Sequence, residues 1–142
     1  MPRISRSALV MYSAEQMYDL VSDIESYAEF LPGCRGGHID CRHGDELDAT
    51  LDIGKAGLSY RFSTRNKMTP GQSIEMRLLK GPFSRLFGVW TFQPLREGSK
   101  VSLELEFEMN NRLTEATLGG LIGQMLGAMV DAFSNRAKQI YG

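Results

Sequence analysis

Between Glu46 and Met109 apolar side chains recur at every second position, run after run. In "ELDATLDI", Leu47, Ala49, Leu51 and Ile53 share one side, and Glu46, Asp48, Thr50 and Asp52 the other. "LSYRFSTRNKM" sets Leu58, Tyr60 and Phe62 against Ser59, Arg61, Ser63, Arg65 and Lys67. "SIEMRLL" aligns Ile74, Met76 and Leu78, and "GVWTFQP" puts Trp90 and Phe92 together. "VSLELEFEM" is the cleanest, with Val101, Leu103, Leu105, Phe107 and Met109 inward and Glu104, Glu106 and Glu108 outward. A period of two with one apolar face marks half-buried antiparallel strands. Gly54, Pro70-Gly71, Gly81-Pro82 and Glu97-Gly98 supply the turns between them.

Helices flank this block. "RISRSALVM" reads as a short first strand, and Ser13 then opens "SAEQ", a capping box with Gln16. Met17, Val21 and Ile24 succeed it at helical spacing, with Tyr18 widening the stripe and a turn expected near Ser26–Tyr27. Pro32-Gly33 ends any helical continuation. Near the C-terminus Leu118, Leu121, Ile122, Met125, Met129, Phe133 and Ile140 recur every three or four residues. The order is strand, helix, five or six strands, long helix, which predicts an α+β fold with a sheet covering a helix on one face.

Gly119, Gly123 and Gly127 stack on one side of the long helix, with Gly120 beside them. Each interior glycine costs about 0.5–1 kcal/mol relative to alanine, so the stripe needs a reason. Either the helix lies directly on the sheet there, or the missing side chains leave a hollow lined by Met125, Met129 and aromatic strand residues. Spacing favours close packing and leaves both open.

The 142 residues form one expected domain, residues 1–142, with sixteen basic against seventeen acidic side chains and a formal charge of -1. That balance counts against a dedicated nucleic-acid binder, so no DNA partner is expected. Two cysteines make no disulfide framework, and no secretory signal is visible. The longest apolar stretch, "ATLGGLIGQMLGAMV", is shorter than the about 20 residues a spanning helix needs. The expectation is a soluble cytoplasmic protein.

Both cysteines and both histidines fall within "CRGGHIDCRH", Cys34 to His43. The spacing Cys-x₃-His-x₂-Cys-x-His matches no zinc knuckle, and on a strand His38 would face away from Cys41 and His43. No metal is expected. No Walker loop, dinucleotide fingerprint, nucleophile elbow or HExxH appears. The inward strand positions offer only Tyr60, Thr64 and Asn66 as polar groups, so acid–base catalysis is not expected and no catalytic residue is assigned. Glu104, Glu106 and Glu108 are expected to meet the basic row Arg61, Arg65 and Lys67, or water.

"GPFSRLFGVWTFQPL" (Gly81–Leu95), "VSDIESYAEFLPGC" (Val21–Cys34), "GLSYRFSTRN" (Gly57–Asn66) and the terminal "VDAFSNRAKQIYG" stand in one order along the chain. Together they resemble the coenzyme Q-binding START-like family, which includes the bacterial ribosome-association toxins of RatA type, within the polyketide cyclase/dehydrase superfamily. The resemblance implies a helix-grip fold of START-like, Bet v 1-like kind: a curved antiparallel sheet around a long C-terminal helix, with an apolar cavity between them. It implies one of two functions. The first is non-enzymatic binding of ubiquinone or another polyprenyl lipid in support of respiratory electron transfer, with no cofactor required. The second is binding to a ribosomal subunit that blocks subunit association. A cyclase-like enzyme is a third, weaker reading.

For a lipid ligand the expected lining is Leu51, Tyr60, Phe62, Met76, Trp90, Phe92, Leu121, Met125 and Met129. "KGPFSRLFG" reads as a hairpin connection whose Phe83, Leu86 and Phe87 either fold back as a buried plug or form a lid at the cavity mouth, in the second case with Arg85 and Lys80 touching an anionic membrane surface. For a ribosomal partner the expected contact is Arg61, Arg65 and Lys67.

Overall fold

The computed structural model describes residues 3–55, 57–112 and 120–142. Strand β1 (Arg3–Val10) leads into helix α1 (Ala14–Ser22) and a 3₁₀ helix (Ile24–Glu29). Six strands come next in succession: β2 (Cys34–His43), β3 (Glu46–Lys55), β4 (Leu58–Thr69), β5 (Ser73–Lys80), β6 (Phe83–Leu95) and β7 (Gly98–Met109). Helix α2 (Gly120–Tyr141) closes the chain. All seven strands make one antiparallel sheet in the order β1-β7-β6-β5-β4-β3-β2. This is the α+β, helix-grip arrangement that the periodicity and the resemblance indicated.

The capping box forms as the sequence indicates. Gln16 N–H donates to Ser13 Oγ at 3.0 Å, and Ser13 N–H donates back to Gln16 Oε1 at 2.9 Å. Such a cap contributes about 1 kcal/mol and fixes where α1 begins. The helix stops at Ser22, and Ile24–Glu29 continues as 3₁₀ rather than as a fraying α-turn. The 3₁₀ segment rests directly on β2, because Gly37 has no side chain: a Cβ there would stand 2.2 Å from the Ile24 carbonyl oxygen. Tyr27 and Phe30 then meet Phe133 of α2 edge to face, at 5.2 and 5.1 Å between ring centres. Arg136 ties the two together through Glu29 at 2.8 Å and over the Phe30 ring.

The buried face of α2 is Ile122, Met125, Leu126, Met129, Val130, Phe133 and Ala137. Neither explanation of the glycine stripe holds for its described members. A Cβ on Gly120 or Gly123 would meet no described atom within 4 Å, and one on Gly127 would meet only Arg6. Among the described residues these glycines sit beside the packed face, bordering neither the apolar hollow under the helix nor any strand backbone. Gly119 and Leu118 lie outside the described residues.

One segment departs from its expected form. "FSRLFG" is the start of β6, not a loop. Two bulges conceal this in the sequence. Phe83 pairs with Met109 and Arg85 with Glu108, which leaves Ser84 extra in β6. Ser63 pairs with Lys80 and Thr64 with Leu78, which leaves Leu79 extra in β5. Each bulge breaks the period of two. The ladder between β5 and β6 ends at Arg77–Phe87, so the two strands part where their bulges lie.

Candidate functional site

The inner face of the sheet curves around α2 and leaves an apolar hollow beneath it. Ala49 and Leu51 come from β3, and Phe62, Thr64 and Asn66 from β4. Met76 comes from β5, Leu86 and Trp90 from β6, and Leu103 and Leu105 from β7. Tyr27, Leu126 and Met129 close it from the helical side. Each strand donates alternate residues, as the pleat requires. The remaining space is about 50 Å³, against roughly 300–1,000 Å³ for a small-molecule site.

Gly88 accounts for part of that shape. It lies inward on β6, opposite Met76, and a Cβ there would stand 2.5 Å from Leu105 Cδ1 and 2.8 Å from Met76 Cε. The methionine therefore lies across the glycine, and its flexible thioether can leave again.

Two polar side chains face the hollow. The Thr64 hydroxyl donates to Asn66 Oδ1 at 2.8 Å, and both residues are buried. Nearby, the Tyr27 hydroxyl donates to the Val21 carbonyl, and burial pushes its pKa far up, so it stays neutral. No carboxylate, histidine, lysine or cysteine lines the hollow among the described residues. The space can hold an apolar body and hydrogen-bond one oxygen or N–H, and among the described residues its lining presents no group poised to move a proton at neutral pH.

Of the expected lining, Leu51, Phe62, Met76, Trp90 and Met129 border the space. Phe92 and Met125 are buried in the core, Phe92 against Trp90 and Tyr18. Tyr60 is half-buried near the start of β4, opposite Ile53, and borders no part of the hollow. The side chain of Leu121 lies outside the described residues. Thr64 and Asn66 follow from the β4 alternation, and Leu103 and Leu105 from that of β7. Tyr27 has no such signal, because 3₁₀ geometry obeys neither period.

The expected lid does not form. Phe83 is buried between Phe62 and Phe107, with ring centres at 5.4 and 6.1 Å, and Leu86 is buried too. Of the three, only Phe87 is open, 44% exposed on the outer face of the sheet. The bulge at Ser84 turns Phe83 and Leu86 inward while Arg85 and Phe87 point out.

The basic row lies on the outer face but is matched by β3. Arg61 Nε donates to Asp52 at 2.6 Å, and Arg65 makes two bonds to Asp48 at 2.8 and 3.1 Å. Lys67 stands opposite Glu46 and Glu75 in the ladders. The Arg65 hydrogen bond holds the Asp48 carboxyl below its ordinary pKa. The β7 carboxylates do not meet this row, because β5 and β6 intervene. Arg3 holds Glu106, and Ser5 Oγ donates to Glu104 at 2.7 Å.

In β2 a bulge between Ile39 and Cys41 brings His38, Cys41 and His43 to the same outer face, correcting the strict alternation. Cys34 points inward and is buried, its thiol pKa raised by burial. His38 lies 3.6 Å from Asp52, and His43 lies 3.3 Å from Asp48. No three such side chains converge on one point among the described residues. No described helix is long and apolar enough to cross a membrane.

Residues 10–134 match the family profile described as polyketide cyclase / dehydrase and lipid transport. The chain is 48% identical over 142 residues to the ribosome association toxin RatA of Escherichia coli, covering 99% of this chain and 90% of that protein. It is 29% identical to the mitochondrial coenzyme Q-binding protein COQ10 homolog B of Xenopus laevis, over 97% of this chain and 59% of that one. A START superfamily protein from Mycobacterium smegmatis superposes with a TM-score of 0.81 at 24% identity, covering 97% of this chain and 98% of that one. The Zhui aromatase/cyclase from Streptomyces gives 0.80 at 14%, over 99% and 96%, a likeness of fold alone.

Proposed function

The chain belongs to the polyketide cyclase / dehydrase and lipid transport family, and we propose that within it this protein is a non-enzymatic ribosome partner of the RatA type, binding a subunit in the cytoplasm and opposing subunit association. The observation that carries this reading is the 48% identity to RatA, which runs across 99% of the chain. The hollow supports it from the other side. At about 50 Å³ it is smaller than a quinone ring needs unless side chains move aside, and its lining among the described residues lacks the acid–base groups that a cyclase needs.

Subunit mixing tests the proposal. Purified protein is added to separated ribosomal subunits before magnesium is raised, and the 70S fraction is read on a sucrose gradient. A dose-dependent fall in 70S with the protein comigrating with one subunit is expected. Unchanged 70S at excess protein refutes the reading.

A second reading is favoured by the buried Thr64–Asn66 pair inside an otherwise apolar lining. Asn66 keeps its amide N–H groups for a ligand oxygen, and Met76 and Met129 can move aside. The ligand would be hydrophobic with a polar ring or head, ubiquinone among the candidates, with transient contact to a membrane during loading. Organic extraction and mass spectrometry of the purified protein test it. A stoichiometric quinone supports it, and a protein that stays empty in detergent-solubilised ubiquinone removes it.

A further inference from the structure

We propose that the split between β5 and β6 on the outer face of the sheet is the ribosome-binding surface, and that it takes single-stranded RNA, with phosphates on Arg77 and Arg85 and a base on the ring of Phe87. The proposal rests on the ribosome reading above and adds the surface and the chemistry to it.

The bulges at Leu79 and Ser84 part the strands and leave a groove of about 330 Å³. Arg77, Ser84, Arg85 and Phe87 line it, with Leu86 in its wall. The cations of the sheet divide into two sets. Arg3, Arg61 and Arg65 are each held by a carboxylate. Arg77 and Arg85 make no salt bridge among the described residues, and neither does Lys80, three residues further along β5 than Arg77. Two arginines line the groove against one carboxylate, Glu106, which Arg85 also acts on but which is already bonded to Arg3; that local excess of positive charge is what an anionic partner requires.

Carboxylates also stand near this groove. Glu106 borders it but is bonded to Arg3, and Glu108 stands opposite Arg85 in the ladder without a salt bridge. Glu75 lies on the same face, two residues before Arg77. Arg77 is separated from the acidic strand β7 by the whole of β6. The ring of Phe87 is 44% exposed directly across from Arg77. A lone exposed aromatic flanked by arginines is a stacking platform for an unpaired base, tolerant of sequence. An anionic bilayer would be met better by a protruding apolar wedge. Here Phe87 forms the wall of a concave groove that also carries Ser84 and Glu106.

Cosedimentation with isolated ribosomal subunits, repeated over a salt series, tests this. The variants are Arg77→Gln with Arg85→Gln, Phe87→Ala and Phe87→Trp, with Arg61→Gln and Arg65→Gln as the control pair. All change exposed side chains, and thermal melts confirm that each is folded. The double arginine variant is expected to make the slope of log affinity against log salt shallower by about 1.4, for two lost single-strand phosphate contacts. Phe87→Ala should weaken binding about tenfold, Phe87→Trp should retain it, and the control pair should bind as wild type. Groove variants that bind like wild type overturn the surface and leave the ribosome reading intact. Wild-type protein that fails to cosediment at low salt overturns both. Groove variants that lose binding to phosphatidylglycerol vesicles but keep the ribosome overturn the RNA assignment in favour of a membrane.

Discussion

Met76 lies across Gly88: the two stand opposite each other in the β5–β6 ladder, and the methionyl methyl lies 2.8 Å from where a Cβ at position 88 would stand. Gly88→Ala must push Met76 and Leu105 aside, both at their flexible ends. The expected cost is about 1 kcal/mol, the low end of overpacking. Urea denaturation measures it. The same variant should bind an apolar fluorescent probe more weakly than wild type, because Met76 already lines the hollow and its displaced end would fill part of it.

Phe83 and Phe87 are four residues apart on one strand and opposite in burial. Phe83→Ala should cost about 3–5 kcal/mol, the usual range for a buried aromatic. Phe87→Ala should stay within about 0.5 kcal/mol. Equal losses in a urea titration would contradict the bulge at Ser84 that separates them.

Thr64 and Asn66 satisfy each other inside the hollow. Asn66→Leu strands the Thr64 hydroxyl and should cost about 1–3 kcal/mol. Adding Thr64→Val should recover most of that loss. A double-mutant cycle reads the coupling, and additive losses would show that the hydrogen bond contributes nothing.

The paired carboxylates set an acid limit. Asp48 is held below its ordinary pKa first by its hydrogen bond to Arg65, and Glu106 by its bond to Arg3. A carboxyl whose folded pKa is depressed contributes stability that is fully present above its unfolded pKa, near 4. That contribution is lost as the pH falls through the lower, folded value. Arg65→Gln should therefore narrow the stability gap to wild type progressively on acidification. Melting curves from pH 7 down to pH 2 measure this, and a gap independent of pH would assign the effect to packing.

Wherever alternation was unbroken, the sequence carried the fold. The β7 run and the Ser13–Gln16 box identify their elements directly, and Leu103, Leu105, Thr64 and Asn66 follow from facing alone. The beginning of β6 was illegible because Gly81-Pro82 announces a turn and the extra Ser84 then puts Phe83 and Leu86 three apart, a helical spacing on a strand. The glycine stripe misled for a different reason. A missing side chain is informative only relative to what faces it, and no described atom faces Gly120 or Gly123. The basic row required knowing the neighbour: Asp48 and Asp52 lie only a hairpin away from Arg65 and Arg61, nearer than any residue of β7.

The strand order carries a consequence for how the chain reaches this state. From β2 to β7 each strand pairs with its successor, so these contacts close short loops and can zip in order. Strand β1 alone joins a distant partner, β7, with Arg3 and Glu106 separated by 103 positions. That closure bears the largest entropic cost in the sheet and must wait until β7 exists. Of these seven strands the earliest in sequence is thus the last to pair. Mutations in β1 should accelerate unfolding while leaving the folding rate almost untouched.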